Sequence, residues 1–208
     1  MKTYIYVDAF NLYYGCLKNT AYKWLDLNAL CRALLPKANI QQIRYFTARV
    51  AVRGSDNTSR LRQQVYLRAL QTLPNLSIHE GQYLSHVVRM RRADPPYDTV
   101  RVVKTEEKGS DVNLAAFMIA DGYKGLYEQA AMISNDSDLA IAVEMVTQEL
   151  KLPVRLLAPV SNPNRRLSKE LLRLATSVKR IRRGALGACQ FPEEVGDAHG
   201  VVRKPATW

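Results

Sequence analysis

The sequence is poor in the residues that build disulfide-rich and zinc-binding proteins. It has three cysteines and three histidines in 208 residues. Cys16, Cys31 and Cys189 are widely spaced and show no metal-ligand pattern. An odd set of distant cysteines argues against a disulfide framework or a zinc site, and we expect reduced thiols that pack in a cytoplasmic protein.

The chain also lacks a long apolar run. No stretch approaches the length of a membrane span, and Asp8 interrupts the first apolar segment before a signal-peptide core could form. We therefore expect no membrane partner and a cytoplasmic location.

Carboxylates are outnumbered by cationic residues. The chain has 19 Asp and Glu against 30 Lys and Arg, which gives a net charge of +11. Such an excess favours a polyanionic partner, with nucleic acid as the first candidate and an anionic membrane surface as the second, although many basic proteins bind neither.

What is present is an alternation of short apolar strands and amphipathic helices. Strands are predicted at 4–7, 40–52, 76–80, 130–133, 153–158 and 177–181, and helices at 27–35, 61–73, 110–119, 139–146 and 167–174. Right-handed crossovers then make the sheet parallel. The sequence predicts one α/β domain over residues 1–183, with a hairpin insertion at about 83–104 and a C-terminal tail, 184–208, that is poorly ordered.

Four aspartates are placed where strands end or helices begin. Asp8 follows the first strand, Asp136 and Asp138 follow the strand at 130–133, and Asp111 lies in the first turn of a helix. Parallel strands end at the same edge of a sheet, so we expect these carboxylates to meet there, beside Asn11. The simpler interpretation is that they cap helices or complement helix dipoles.

Carboxylates that converge without a counter-charge disfavour one another's ionisation. A divalent cation removes that conflict. Ligation by oxygen alone, without Cys or His, selects a hard ion such as Mg²⁺ or Mn²⁺. Such an ion can activate water and neutralise charge on a departing phosphodiester oxygen.

Clustered cationic residues could follow a phosphate backbone. They are Arg60, Arg62 and Arg68 on one helix, Arg89, Arg91 and Arg92 in the hairpin, and Lys108, Arg165 and Arg166. A solvated helix face and a charged strand edge that prevents aggregation are the alternative interpretations. The sequence does not decide between them.

Three segments carry a resemblance to a known family. Val7-Asp8-Ala9-Phe10-Asn11-Leu12, 107–114 and 134–139 resemble, in order and spacing, the signature segments of the NYN domain, a family of PIN-like nucleases that includes LabA-like bacterial proteins. The resemblance implies a PIN-like three-layer α/β/α sandwich and Mg²⁺-dependent ribonuclease activity. It assigns Asp8, Asp111, Asp136 and Asp138 to metal binding and Asn11 to the same catalytic site. Phe117 stands where some relatives have another acid.

The resulting hypothesis is a metal-dependent endoribonuclease acting on single-stranded or loop RNA. A non-catalytic RNA-binding or regulatory module, a metal-dependent DNA nuclease and a phosphohydrolase with Asp8 as nucleophile remain alternatives. The hypothesis leaves open whether the protein forms a homodimer.

Overall fold

The computed structural model describes residues 1–49, 58–160 and 166–208. In these ranges the chain forms a seven-stranded sheet of β1 (Lys2–Asp8), β2 (Asn39–Ala48), β3 (Leu76–Arg91), β4 (Thr99–Lys108), β5 (Gln129–Ile133), β6 (Val154–Ala158) and β7 (Ser177–Arg180). The strand order is β4-β3-β2-β1-β5-β6-β7. Neighbours are parallel except β3 and β4, which pair antiparallel. The predicted mainly parallel α/β fold with a hairpin is confirmed.

Helices cover both faces of the sheet. They are α1 (Ala9–Leu12), α2 (Leu27–Leu34), α3 (Thr58–Gln71), α4 (Ser110–Tyr123), α5 (Ala140–Glu144), α6 (Lys169–Leu174) and α7 (Arg183–Ala188). Wider helical turns, Tyr13–Leu17 and Met145–Glu149, continue α1 and α5, and a 3₁₀ turn, Ser137–Leu139, precedes α5. None of the helices in the described ranges is long and apolar enough to cross a lipid bilayer.

Alternation along β1 divides the core into two halves. Ile5 and Val7 pack with α2, α3 and α7 on one face, while Tyr6 packs with α4, α5 and α6 on the other. Side chains that alternate along a strand and are buried on both sides require a layer on each face. The result is a three-layer sandwich.

The order of the strands creates a crevice at the carboxyl end of β1. β2 lies on one side of β1 in the sheet. The chain later places β5 on the other side of β1, and β6 lies beyond β5. Val7 pairs with Ile133 across β1 and β5, so Asp8 and Ser134 are the next residues of these two strands. Open α/β sheets bind ligands at such a switch point.

The predicted hairpin is an extension of β3. Residues 76–81 pair with β2, whereas Gln82 pairs with Lys108 and Arg91 with Thr99 on the antiparallel partner β4. The hairpin therefore spans 82–108, which is longer than predicted. Its far end carries the Pro95-Pro96 turn away from the sandwich.

The prediction of a poorly ordered tail over 184–208 is wrong. These residues form α7 and a second, two-stranded sheet of β8 (Glu194–Asp197) and β9 (Gly200–Arg203). Leu186, Phe191 and Val202 are buried, and the Trp24 indole Nε1 donates to the Pro192 carbonyl at 2.7 Å. A few well-placed apolar side chains thus anchor a segment in which Gly, Ala, Pro and acidic residues are frequent.

A buried ion pair attaches α4 to the sheet. The Asp121 carboxylate accepts hydrogen bonds from the Tyr6 hydroxyl at 2.8 Å and from Arg44 at 2.7 and 3.1 Å. His79 is half-buried beside this pair and stacks on Phe46 at 4.9 Å between ring centroids. The Asp121 contacts fix the helix that carries Asp111 in its first turn.

Candidate active site

Asp8 is a buried carboxylate at the carboxyl end of β1, with 4% of its surface exposed. Its Oδ1 accepts from the backbone N–H of Asn11 at 2.9 Å, and its Oδ2 accepts from the Ser134 hydroxyl at 2.9 Å. Burial, reinforced by the charges of Asp111 and Asp136, raises the Asp8 pKa to about 6, although both hydrogen bonds act to lower it. Within the described ranges, no cationic side chain is among the groups that shift this pKa.

Asp136 and Asp138 lie in the turn that follows β5. The Asp136 N–H donates to the Ser134 hydroxyl at 3.0 Å, and Asp136 Oδ1 accepts from the Asp138 N–H at 3.1 Å. Asp136 therefore caps the 3₁₀ turn. The negative charge of Asp136 still acts on the crevice while its side chain caps the turn. This charge raises the pKa of both Asp8 and Asp111.

Asp111 reaches the same crevice from the first turn of α4. Gly109, with φ of 98°, turns the chain from β4 into the helix, a left-handed conformation that glycine adopts without strain. Ser110 donates its N–H and hydroxyl to the Glu107 carboxylate at 3.0 and 2.8 Å. Half-burial raises the Asp111 pKa, as do the charges of Asp136, Glu107 and Asp138. Glu107, which the sequence did not single out, thus adds a fifth negative charge.

Asn11 links the first helix to the loop after β5. Its Oδ1 accepts from the backbone N–H of Asn135 at 3.1 Å. The Asn135 side chain in turn donates to the Arg166 carbonyl at 3.3 Å and accepts from the Ser168 N–H at 2.9 Å. Asn135 therefore joins three loops around the crevice. The sequence indicated only that this residue tolerates a turn.

The predicted cationic residues differ in how the chain uses them. On α3, Arg60 is exposed, Arg62 is half-buried and donates to Ser59 at 3.2 Å, and Arg68 pairs with Asp197 at 2.7 Å. The Arg68 pair lowers the Asp197 pKa and attaches α3 to the β8–β9 sheet. Arg68 is therefore committed to a structural contact. Arg165 lies outside the described residues.

In the hairpin, Arg89 lies directly opposite Arg101, and both side chains are exposed. Arg91 donates to the Tyr97 carbonyl at 3.3 Å, Arg92 lies 3.7 Å from Asp98, and Lys108 lies 3.6 Å from Glu106. Like charges directly opposite in a sheet repel each other. In the parts of the chain that the structure describes, the Arg89 and Arg101 guanidiniums also have no carboxylate within 4 Å that would offset this repulsion. Exposed Arg166 lies beside the acidic crevice, in the segment held by Asn135.

A cavity of about 590 Å³ adjoins the acidic crevice. Ala9 and Phe10, which directly follow Asp8, form part of its wall, and so does Tyr45. Burial and the Asp8 charge raise the Tyr45 pKa, which places this phenol in the electric field of the acidic site. Tyr13 and Tyr14 are both exposed and also line this cavity.

The family model of the NYN domain matches residues 2–179. This chain belongs to the NYN family. Members of the family are typically nucleases, so the nuclease-like fold expected from the three segments is confirmed. The matched region ends before α7, which leaves the buried tail as an addition to the family domain.

Two relatives extend this comparison. The chain is 32% identical to the 6-hydroxy-3-succinoylpyridine 3-monooxygenase HspA of Pseudomonas putida, an alignment that covers all of this chain and 75% of that protein. The crystal structure of a protein of unknown function from Vibrio parahaemolyticus has the same fold, with a TM-score of 0.52 and 17% identity over 86% of this chain and 92% of that one.

The NYN resemblance implies a divalent cation, and the crevice meets that expectation in part. Its donors are carboxylate and amide oxygens, which hard cations prefer. Within the described ranges, no three Asp, Glu, His or Cys side chains are grouped closely enough to hold a metal by themselves. Mg²⁺ usually keeps several waters and uses one or two carboxylates together with substrate phosphates. The donors of the crevice therefore fit a hydrated Mg²⁺ that one or two carboxylates hold together with water, and in the described residues they do not form a preformed cage.

Phe117 marks a departure of this NYN domain from some relatives. Its ring packs against His79 at 4.3 Å and lies under the Arg44 guanidinium at 4.8 Å. The position is thus part of the apolar surroundings of the Arg44–Asp121 pair. A further metal-binding acid at this point of α4 is replaced by a packing residue.

Proposed function

We propose that this NYN protein hydrolyses phosphodiester bonds of RNA with Mg²⁺ or Mn²⁺. The observation that supports the proposal most is the position of Asp8 at the switch point of a parallel sheet, where the charges of Asp111 and Asp136 act on it and that of Asp138 acts on Asp111. Among the described residues, the groups that act on Asp8 are carboxylates and hydrogen-bond donors, and no ammonium or guanidinium is among them. A cation from solution would supply the missing positive charge.

Asp8 and Asp136 would hold the cation, and Asp111 and Asp138 would contact it directly or through water. When bound, the ion would activate water and offset the charge that develops on the phosphodiester. Ser134 orients Asp8 by donating to Oδ2, and the Asn11 N–H fixes Oδ1. Both carboxylate oxygens retain lone pairs for a further contact.

Asn11 is suited to bind a phosphate oxygen. Its side-chain carbonyl is occupied by the Asn135 N–H, which orients the amide group. Its Nδ2 has no acceptor within hydrogen-bond distance among the residues that the structure describes. The Asn11 amide can donate to an anionic group. Because several carboxylates lie beside it, that group would bind together with a cation.

The cationic hairpin would bind the RNA backbone away from the acidic crevice. Arg89 and Arg101 repel each other in the free protein, and a phosphate between them would relieve that repulsion. Arg166 extends the positive charge to the rim of the crevice, where Asn135 holds its backbone. Binding that uses such contacts weakens as salt increases, because counterions are released.

A cleavage assay with purified protein tests the proposal. A fluorescently labelled single-stranded RNA and a DNA of the same sequence are incubated with Mg²⁺, with Mn²⁺ or with EDTA. We expect RNA cleavage that EDTA abolishes and that Asp8→Asn and Asp136→Asn lose. Asp26→Asn is the matched control, because Asp26 caps α2 by accepting from Asn28 and Ala29, and Asn caps a helix as well as Asp.

Cleavage that persists in EDTA or in the Asp8→Asn variant would contradict the proposal. Equal or preferred cleavage of the DNA would identify a DNA nuclease instead. Salt-sensitive RNA binding without cleavage at millimolar Mg²⁺ would identify a non-catalytic RNA-binding module.

A second candidate function is hydroxylation of an aromatic ring. It is favoured by the relative named as a 6-hydroxy-3-succinoylpyridine monooxygenase, which aligns with the whole of this chain. It is also favoured by the cavity of about 590 Å³, which is the size of a small-molecule site. Molecular oxygen and a two-electron reductant would supply the oxygen atom and the electrons.

Incubation of that pyridine with the protein, oxygen and a reduced nicotinamide tests this candidate. A pyridine product that carries one oxygen atom from ¹⁸O₂ in mass spectrometry, with the displaced succinoyl group as a second product, water from the other oxygen atom and oxygen uptake, would favour monooxygenation at C3. Unchanged substrate under these conditions would reject it.

A further inference from the structure

The cavity beside Asp8 lies between several parts of the fold. Its walls come from α1 and the helical turn after it, the carboxyl end of β2, the first turns of α3, the base of the hairpin and the C-terminal residues Thr207 and Trp208. Its volume of about 590 Å³ is within the range of about 300 to 1,000 Å³ that accommodates small organic ligands.

Aromatic side chains are the most frequent type among the described residues of this wall. They include Phe10, Tyr13, Tyr14, Tyr45, Tyr83 and Trp208. Phe10 contacts Tyr83 edge to face at 6.2 Å between centroids, and Tyr13 contacts Tyr14 in the same way at 5.2 Å. Rings fixed in this manner present faces and edges on which another planar ring can stack.

The charged residues that line the cavity in the described parts of the chain are of one sign. Lys23 and Arg62 line it, and none of the described lining residues is an Asp or Glu. Arg62 is half-buried and donates through Nη2 to Ser59 at 3.2 Å, which holds the guanidinium on the wall. Neither cation has a carboxylate within 4 Å in the described ranges. A half-buried guanidinium without a counter-ion favours an anionic ligand group.

The cavity is electrostatically distinct from the acidic crevice that adjoins it. Asp8 repels negative charge at the Phe10 and Tyr45 end, whereas Arg62 attracts it at the α3 end. A ligand with a neutral ring and one anionic substituent would satisfy both ends in a single orientation, with its ring towards Asp8 and its anionic group at Arg62.

We propose that this cavity binds a planar aromatic ring that carries one anionic group, with the ring stacked among the tyrosines and the anion on Arg62. The shared chemistry could come from a free aromatic carboxylate or from a nucleoside monophosphate. Binding does not require a metal ion at the acidic crevice. The inference therefore stands or falls separately from the proposed ribonuclease activity.

Isothermal titration calorimetry on the full chain in EDTA tests the proposal with two pairs of probes. One pair is 2-naphthoate and its neutral amide, and the other is adenosine monophosphate and adenosine. We expect the anionic member of one pair to bind about tenfold more tightly than its neutral partner, a difference typical of a charge-assisted hydrogen bond. The pair that shows this preference identifies the source of the ligand.

Variants locate the contact. Arg62→Gln should remove the preference for the anion, and Arg62→Lys should retain part of it, because the charge remains but the forked donor geometry is lost. Arg32→Gln, an exposed arginine on α2 outside the cavity, is the matched control and should bind as the wild type does. Absence of binding by all four probes to the wild type, equal binding of charged and neutral probes, or an anion preference that survives in Arg62→Gln would overturn the proposal.

Discussion

Asp8 and Asp121 are equally buried carboxylates, with 4% and 3% of their surfaces exposed, yet the chain treats them differently. Asp121 is paired with the Arg44 guanidinium and the Tyr6 hydroxyl. Asp8 receives two neutral hydrogen bonds and the repulsion of neighbouring carboxylates. The charge of Asp121 is satisfied within the fold, whereas among the described residues no cationic side chain is one of the groups that shift the Asp8 pKa.

This difference separates a structural acid from a candidate functional one without reference to sequence motifs. Natural proteins keep a buried charge when it is paired or when it binds something. Asp121 holds α4 against β1 and β2, and the same helix carries Asp111 into the crevice. The paired Asp121 therefore holds in place the helix whose first turn brings Asp111 into the crevice beside Asp8.

The largest expected effect is on cleavage by Asp8→Asn. The substitution removes the central negative charge but keeps the size of the side chain, so we expect RNA cleavage to fall by roughly 100- to 1,000-fold, which is about 3 to 4 kcal/mol of transition-state stabilisation. The initial rate on labelled RNA at saturating Mg²⁺ measures the effect. Asp26→Asn, measured in parallel, should cleave as the wild type does, and an equal fall in both variants would contradict the account.

Asp121→Asn should act on stability. It leaves the Arg44 guanidinium partly buried without its counter-ion, and we expect the free energy of unfolding to fall by about 3 kcal/mol. Tyr6→Phe removes one neutral donor to the same carboxylate, and it should cost about 1 kcal/mol. Urea unfolding followed by circular dichroism measures both. A loss for Asp121→Asn no greater than that for Tyr6→Phe would show that the ion pair is not the stabilising contact.

Asp8→Asn should have the opposite effect on stability. Because the folded protein raises the Asp8 pKa from its ordinary value of 3.8 to about 6, the stabilising contribution of this carboxyl is full below pH 3.8 and is lost as the pH rises through about 6. At pH 7.5 and without metal, we expect the variant to be more stable than the wild type by up to about 3 kcal/mol, since the rise of the pKa from 3.8 to about 6 is about two units and one unit is worth about 1.4 kcal/mol.

The measurement is urea unfolding of both proteins in EDTA at pH 4 and at pH 7.5. The gain should be small at pH 4, where the wild-type carboxyl is largely protonated in the folded state. A variant that is less stable than the wild type at pH 7.5, or a gain that does not change with pH, would contradict the burial of an uncompensated charge.

The smallest expected effect is on RNA binding by the hairpin. Arg89→Gln with Arg101→Gln removes two cationic side chains that have no carboxylate partners in the described structure, and we expect RNA affinity to fall by about tenfold. The slope of log affinity against log salt should become shallower by about 1.4, or about 0.7 for each lost phosphate contact. Fluorescence anisotropy across a salt series measures both quantities.

The control for the hairpin pair is Arg32→Gln with Arg173→Gln, which removes two exposed arginines on α2 and α6. The control should leave the affinity and the salt slope close to those of the wild type. Equal losses in the two double variants would mean that net charge, and no particular surface, governs RNA binding.

The sequence predicted the parts of the fold that depend on local pattern. The apolar run at 130–133 and the helical spacing of Leu27, Leu30, Cys31 and Leu34 produce β5 and α2 as expected. The carboxyl ends of β1 and β5 could be placed together from the alternation of strands and helices alone. Asp8 and Asp136 therefore lie at the predicted edge.

Contacts between distant residues were not predictable in this way. The Asp121–Arg44 pair joins positions that are 77 residues apart, and the Trp24–Pro192 hydrogen bond joins positions that are 168 apart. Single residues, and not a periodic pattern, fix the tail on the core. The cavity also escaped prediction, because its aromatic lining comes from six separate segments of the chain.

The central claim is that the acidic crevice binds a divalent cation through Asp8. Electron paramagnetic resonance measures it most directly, because free Mn²⁺ gives a strong six-line signal that weakens when the ion binds protein. At pH 7.5 we expect wild type and Asp26→Asn to deplete the free Mn²⁺ signal and Asp8→Asn to leave it nearly unchanged. Equal depletion by all three proteins, or none by the wild type at millimolar Mn²⁺, would contradict the claim.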